Sequence, residues 1–164
     1  MVIWITGLSG SGKTFLSKKI LKALDKKKEF VHIDGDTFRK YFSQDLKYTY
    51  TDREKNAERI SKIVKILDDT GANIVVSVLS NYKKWLLWNR RNIKKYFQIY
   101  IKVNKAQLFK RNKKNLYLGN KKNIVGKDIK FSQPIKSDEV FLNKFKKKDL
   151  QHFVKKILVK IKKI

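Results

Sequence analysis

The 164 residues predict an α/β fold in three layers, with a mainly parallel sheet between two sets of helices. Three observations predict it: apolar runs rich in β-branched residues, amphipathic stretches alternating with them, and a glycine-rich turn joining the first run to the first helix. The runs are Val2–Thr6, Phe30–Ile33, Ile74–Leu79 and Gln98–Val103. Their continuous apolar character suits parallel strands covered on both faces. Between them, Lys13 to about Lys27 carries Leu16, Ile20, Leu21 and Leu24 at helical spacing. The stretch after Asp52 carries Ala57, Ile60, Ile63, Val64 and Leu67 before Gly71 ends it, and Tyr82 to about Lys95 reads as a third helix. A β-α-β order of this kind requires right-handed crossovers. Lys113–Ser137 breaks the pattern with two Gly, the only Pro and many Lys, and a stretch that long is expected to be a lid. Glu139–Asn143 reads as a last short strand. From Asp149 a final helix lines up Leu150, Phe153, Val154, Ile157, Leu158 and Ile161, the stripe of a helix closing on its own sheet.

The length suits one domain spanning 1–164, with no repeat and no linker. Lys+Arg 41 against Asp+Glu 14 gives a formal charge of +27, which raises nucleic acid or an acidic membrane as a partner. Of those cations 35 are Lys and 6 are Arg, beside 17 Ile, 11 Asn and 4 Ala, the skew that AT-rich codons impose. Much of the charge therefore reads as solvated background. No Cys excludes a disulfide scaffold, a Cys-ligated metal site and a thiolate nucleophile. No apolar run approaches the roughly 18 residues of a membrane span, and Met1–Gly7 leaves no room for a signal peptide, so a cytoplasmic protein is expected.

Gly7-Leu8-Ser9-Gly10-Ser11-Gly12-Lys13-Thr14 fits G-x-x-x-x-G-K-[ST] at every fixed position, directly after a strand and opening a helix. Glycines let successive backbone N–H groups turn toward phosphates, and the helix N-terminus adds positive potential. Lys13 is the cation expected to reach the β and γ oxygens of ATP, and the Thr14 hydroxyl is the expected Mg²⁺ ligand. A GTPase would want N-K-x-D, and Asn104-Lys105-Ala106-Gln107 lacks the Asp; Asp68-Asp69-Thr70-Gly71 matches D-x-x-G only at a helix end. Asp34-Gly35-Asp36 follows the second strand at the sheet edge where ligands bind. One carboxylate can accept the proton of an attacking hydroxyl while the other orients Mg²⁺ through water. The same pair also reads as a helix cap at Asp36 beside a solvated Asp34. Arg53, Asn56 and Arg59 recur on one helix face, with Arg39 and Arg111 elsewhere, and in so Lys-rich a chain Arg marks places that need a bidentate fork. Tyr82-Lys83-Lys84-Trp85-Leu86-Leu87-Trp88-Asn89-Arg90-Arg91 interleaves aromatics and cations, the sign of a rival nucleic-acid-binding module, yet Trp85 and Trp88 fall one turn apart as core residues do. RNA binding would leave the phosphate loop unexplained, so no stable nucleic-acid partner is expected. His32 and His152 stand alone and are expected to be ordinary strand and helix residues, outside any metal site.

Taken together, these segments resemble the adenylyl-sulfate kinase (APS kinase) family across nearly the whole chain. Gly7–Thr14 looks like its phosphate loop, Asp34-Gly35-Asp36-Thr37-Phe38-Arg39 like its D-G-D-x-x-R, and Asp45-Leu46-Lys47-Tyr48 with Asp52-Arg53 and Asn56 like its D-L-G-F…D-R-x-x-N. Leu79-Ser80 occupies the place of its I-S-P, Arg111-Asn112-Lys113-Lys114-Asn115-Leu116-Tyr117 that of R-D-P-K-G-L-Y, and Val125-Gly126 with Pro134 that of F-T-G-I…P. The resemblance implies a phosphate-loop NTPase fold, ATP and Mg²⁺ as cofactors, and transfer of the γ-phosphate to the ribose 3′-hydroxyl of a small nucleotide. It leaves a homodimer open. It implies Asp34 as base, Arg39, Arg53 and Asn56 as substrate binders with Asp36, Arg111 on ATP, and Lys114 on phosphates under the lid. Ser80 takes the place sometimes assigned a phosphoserine intermediate, a role that direct in-line transfer makes unnecessary.

Where the family sandwiches its substrate base between two aromatics, Tyr48 keeps the first but Ile124 stands in the second place, which removes about 1–3 kcal/mol of stacking. Asn81, Lys83 and Asn112 depart from the family's Pro, Arg and Asp, while the phosphate loop and D-G-D are intact. That asymmetry points to a changed acceptor under an unchanged reaction. APS-kinase-like enzymes of capsule phosphoramidate biosynthesis phosphorylate cytidine diphosphoramidate, whose smaller base needs less stacking surface. The resemblance implies this acceptor first and adenylyl sulfate as the alternative.

Overall fold

Alternation along β1 (Val2–Gly7) decides how the two helical layers attach. Every residue of the strand is buried, and successive side chains leave on opposite faces. In the computed structural model, which describes residues 1–24, 29–79, 82–111, 115–117 and 122–162, Ile3 and Ile5 pack with Leu16 and Ile20 of α1 (Lys13–Ala23) and with Phe153 and Ile157 of α6 (Lys147–Ile161). Val2 and Trp4 face the other way, onto Ile60 and Val64 of α3 (Tyr50–Asp69) and Leu86 of α4 (Lys83–Asn92). Five strands form one parallel sheet in the order β2-β3-β1-β4-β5, where β2 is Phe30–Asp34, β3 Asn73–Val78, β4 Tyr96–Lys102 and β5 Glu139–Leu142. The expected α/β architecture and all five expected strands are present.

Two short helices complete the fold: α2 (Gly35–Phe42), which the cap reading at Asp36 allows, and α5 (Lys105–Arg111), which no sequence pattern marks. Asn104 caps the second, its Oδ1 accepting from Gln107 N at 3.1 Å, which accounts for the asparagine of the incomplete N-K-x-D. Asp68 is likewise structural: it accepts from Lys94 N at 3.2 Å beneath the end of α3. The third expected helix is shorter than its apolar pattern, because the backbone at Ile93 is already extended. Trp85 is buried with Ala57 and Tyr82, in contact with Trp88, as a core stripe rather than a stacking platform. Among the described residues no helix is long and apolar enough to cross a membrane.

Glu139 opens β5 with its side chain 6% exposed and paired with Lys156 at 2.8 Å and with Lys160. Burial pushes its carboxyl up, but the two lysines outweigh that and hold it below the ordinary glutamate value. A carboxyl lowered in the folded state adds stability that is present above its unfolded pKa and is lost as pH falls through the folded one. Glu139→Gln is therefore expected to lower unfolding stability by about 1–2 kcal/mol at pH 7. In urea titrations the gap from wild type should shrink below about pH 4; a gap independent of pH would show that shape, not charge, carries the effect.

Candidate active site

The carboxyl ends of β1, β2 and β3 open onto one cleft, the position that parallel sheets give their ligands. After β1, the chain turns through Gly7–Thr14. Gly12 has φ +100°, a conformation L side chains rarely adopt, and so starts α1 with its amides turned outward. The loop is held from several sides. Lys13 Nζ donates to Leu8 O at 2.9 Å, Asn143 Nδ2 to Ser11 O at 2.8 Å, and Tyr117 OH to Ser9 O at 2.8 Å.

Asp34 is the last residue of β2 and caps α2. Its Oδ1 accepts from Asp36 N at 3.0 Å and Thr37 N at 3.4 Å, so the cap read at Asp36 belongs to Asp34 itself. Oδ2 accepts from Thr14 Oγ1 at 2.7 Å and Ser77 Oγ at 3.0 Å. Burial pushes the carboxyl up, yet the hydroxyl bonds of Thr14 and Ser77 and the amides of Thr37 and Asp36 prevail and hold it below its ordinary value. Asp34 is ionised at neutral pH and fixed in orientation.

The cleft is about 560 Å³, within the range of nucleotide-sized sites. Ser9, Lys13, Thr14, Asp34 and Asp36 line its phosphate-loop side, and Arg39, Tyr48, Arg53, Asn56 and Ile124 line the rest with Lys122. Tyr48 is 55% exposed, with the guanidinium carbons of Arg39 and Arg53 4.7 and 5.1 Å from its ring centroid. Arg53 donates to Tyr48 O and to Asn123 O, each at 3.0 Å, so one guanidinium ties the Tyr48 wall to the Ile124 wall. Burial, with Arg39 beside it, disfavours the charge of Arg53. An anion in the cleft would relieve that repulsion. Asn56 Oδ1 is buried with no hydrogen-bond partner among the described residues.

Arg59, expected on the same face, instead forms a fork with Asp45 at 2.5 and 2.7 Å. Its role is local. Arg111, at the end of α5, lies over the Phe145 ring with its guanidinium carbon 4.2 Å from the centroid, outside the residues lining the cleft. Ser80 and Lys114 lie outside the described residues. The described part of the 113–137 stretch packs on the phosphate loop: Tyr117, Ile124 and Val125 are buried with Leu8 and Leu108. Gly126 at φ +96° leaves room for Leu8, whose Cδ2 a side chain would meet at 2.8 Å. At its far end, Arg90 forks onto Asp138, and Gln98 donates to Ile135 O and Ser137 Oγ.

Sequence reasoning missed Ser77, Ser17 and His32. Ser17 Oγ lies 2.9 Å and Ser77 Oγ 3.1 Å from His32 Nε2, a contact among three elements that no local spacing encodes. His32 is an ordinary strand residue by position but not by bonding. The oxygen donors at the mouth of the phosphate loop, the Thr14 hydroxyl and the Asp36 carboxylate, suit a hard cation that keeps water and phosphate ligands. Among the described residues no group of three or more His, Cys, Asp or Glu builds a metal site by itself.

A family model for adenylylsulphate kinase matches residues 1–142. The chain is 32% identical to a cytidine diphosphoramidate kinase of Campylobacter jejuni, over 98% of this chain and 95% of that protein. It is 34% identical to a chloroplastic adenylyl-sulfate kinase of Catharanthus roseus, over 87% of this chain and 48% of that longer protein. In three dimensions it is similar to the Mycobacterium tuberculosis APS kinase CysC solved in complex with AMPPNP and APS, with TM-score 0.85, 21% identity and coverage of 99% of this chain and 97% of that one.

Proposed function

The chain belongs to the adenylyl-sulfate kinase family, and from that premise we propose that it is a cytoplasmic ATP-dependent kinase acting on the ribose 3′-hydroxyl of cytidine diphosphoramidate, in capsule phosphoramidate biosynthesis. The observation that carries the acceptor is Ile124, 6% exposed and on the cleft wall that Arg53 ties to Tyr48. One aromatic wall and one aliphatic wall suit a pyrimidine, while a purine gains more from two aromatic faces. The near full-length likeness to the Campylobacter enzyme supports the same reading.

In this reading the Gly7–Thr14 backbone holds the donor phosphates and Lys13 neutralises charge as the γ-phosphate transfers. Arg111, which sits over Phe145, is assigned to ATP by the family resemblance. Thr14 and, through water, Asp36 would hold Mg²⁺, which would supply positive charge to the donor phosphates. Asp34 aligns the acceptor hydroxyl and takes its proton, and Arg39, Arg53 and Asn56 hold the acceptor's anionic end with Lys114. The 113–137 stretch closes over both nucleotides and excludes water. Ser80 keeps the substrate-binding role that the family resemblance implies, without a covalent step.

The test offers cytidine diphosphoramidate and adenylyl sulfate in parallel with Mg·ATP, following ADP release and the new 3′-phosphate by ³¹P NMR. The expected result is a kcat/KM at least about tenfold higher for the cytidine compound, with Ile124→Phe narrowing that ratio by restoring the second stacking face. Preference for adenylyl sulfate in the wild type would overturn the acceptor and assign the protein to sulfate activation.

A further inference from the structure

The hydroxyl of Ser77 holds one oxygen of Asp34 and is itself held by a histidine on the neighbouring strand. We propose that His32 is a positioning residue for Asp34, acting through Ser77, and that it also ties the base to the helix of the phosphate loop through Ser17. The inference rests on the reading of Asp34 as the group that aligns the acceptor hydroxyl.

Proton counting fixes how the contacts run. Asp34 Oδ2 can only accept, so the single proton of Ser77 Oγ points to it at 3.0 Å. Thr14 O can only accept, so the proton of Ser17 Oγ points to it at 2.9 Å. Neither hydroxyl has a proton left for the imidazole. Nε2 of His32, 2.9 Å from Ser17 Oγ and 3.1 Å from Ser77 Oγ, therefore carries the hydrogen and shares it between them. The tautomer follows from the network. Burial disfavours a charged ring and outweighs the opposing pull of Asp34, with a smaller push from Lys18 in the same direction as burial. Ser17 and Ser77 are almost fully buried, so water does not substitute for the imidazole.

The consequence is geometric. The α2 amides hold Oδ1, while Oδ2 takes its direction from two hydroxyls. Thr14 belongs to the donor's phosphate loop, so Ser77 is the side-chain contact that fixes Oδ2 from within the sheet. A serine hydroxyl rotates freely unless a third group holds it, and His32 is that group. By gripping Ser17 as well, the same N–H fixes the spacing between α1 and the carboxylate, which is the spacing between donor and acceptor.

Three measurements decide it on the full-length protein. Removing the donor in His32→Leu should lower kcat about tenfold with the KM of both substrates changed less than about twofold, while His32→Gln, whose amide places an N–H near Nε2, should stay within about threefold of wild type. Ser77→Ala should lower kcat about tenfold, and the Ser77→Ala/His32→Leu double variant should lose no more than either single one, since both break one chain of bonds. Imidazole ¹⁵N shifts of the wild type at neutral pH should show hydrogen on Nε2. Hydrogen on Nδ1, additive losses in the double variant, or a Leu variant as fast as wild type would overturn the proposal. Should His32→Leu fail to fold, the Ser77→Ala rate and the ¹⁵N shifts still decide it. If instead Asp34→Asn leaves kcat intact, the underlying reading of Asp34 fails, and that outcome is separate from any result at His32.

Discussion

Asp34→Asn is expected to lower kcat by about 10²- to 10⁴-fold while the protein stays folded. The substitution keeps what Asp34 does for structure. Asparagine is as good a helix cap as aspartate, and its Oδ1 can accept from the amides of Asp36 and Thr37 as the carboxylate does. On the other side, Nδ2 replaces the oxygen that now accepts from Thr14 and Ser77, and both hydroxyls can rotate to accept instead. The folded state loses about 1 kcal/mol or less. In the proposed reading, what disappears is a negative charge and a proton acceptor at the acceptor hydroxyl. The lowered pKa of Asp34 makes it a weak base toward a resting hydroxyl, but in a loose phosphoryl-transfer transition state the hydroxyl proton becomes acidic late, and alignment matters more than base strength. Because the carboxyl is held below its ordinary value, the rate lost to its protonation appears only as pH falls below about 4. A kcat within a factor of about three of wild type, measured by ADP release with matched thermal unfolding, would remove Asp34 from the chemistry.

Much of this fold was legible because parallel strands covered on both faces must be apolar throughout. Val2–Gly7 is buried at every residue, and its apolar run reads as a strand from the sequence. The long helices α1, α3 and α6 were visible through their stripes, which now meet the sheet at Ile20, Ile60, Val64 and Ile157. The short helices were invisible for the opposite reason. Phe38 is the buried residue of α2, whose Tyr41 and Phe42 are more than half exposed, and Leu108 is that of α5. One anchored side chain makes no periodicity; the cap of α2 reads two residues late, at Asp36, and Asn104 shows its capping role only in the structure.

The site divides along a similar line. Residues whose chemistry depends on local order, the phosphate loop and Asp34-Gly35-Asp36, are legible from spacing, Arg53 and Asn56 from their shared helix face, Arg39 from its residue type, and Tyr48 from the family pattern; all line the cleft or build its edge. Arg59 had the right type and spacing but met Asp45 first. The His32 network joins residues 15, 43 and 45 positions apart, and its serines are too common to attract notice. Only the sheet register, which sets His32 beside Val75 and Asp34 beside Ser77, brings those hydroxyls to the imidazole.

Lys13→Ala is expected to lower kcat by about 10²-fold or more, with a weaker grip on ATP and no comparable loss of stability. Lys13 is only partly buried, and its ammonium donates to the carbonyl of Leu8 at 2.9 Å, within the loop it serves. That same carbonyl accepts from Ser11 N at 3.1 Å, so truncating the lysine leaves the turn closed. The loop keeps its other supports too, from Asn143 to Ser11 and from Tyr117 to Ser9. Its amides still present partial positive charge from the start of α1, which is why residual nucleotide binding should survive. What they cannot replace is a full charge at the oxygens where negative charge moves in the transition state. The variant also separates the two classes of activity that the composition allows. With 35 Lys in the chain, removing one changes non-specific attraction for RNA by about one phosphate contact at most. A protein whose main work was binding nucleic acid would therefore keep its affinity in Lys13→Ala, as this one also should, whereas a kinase loses turnover. Measured side by side, salt-dependent RNA binding and ADP release give opposite readings of the same substitution, and near-normal ADP release would end the kinase assignment of this loop.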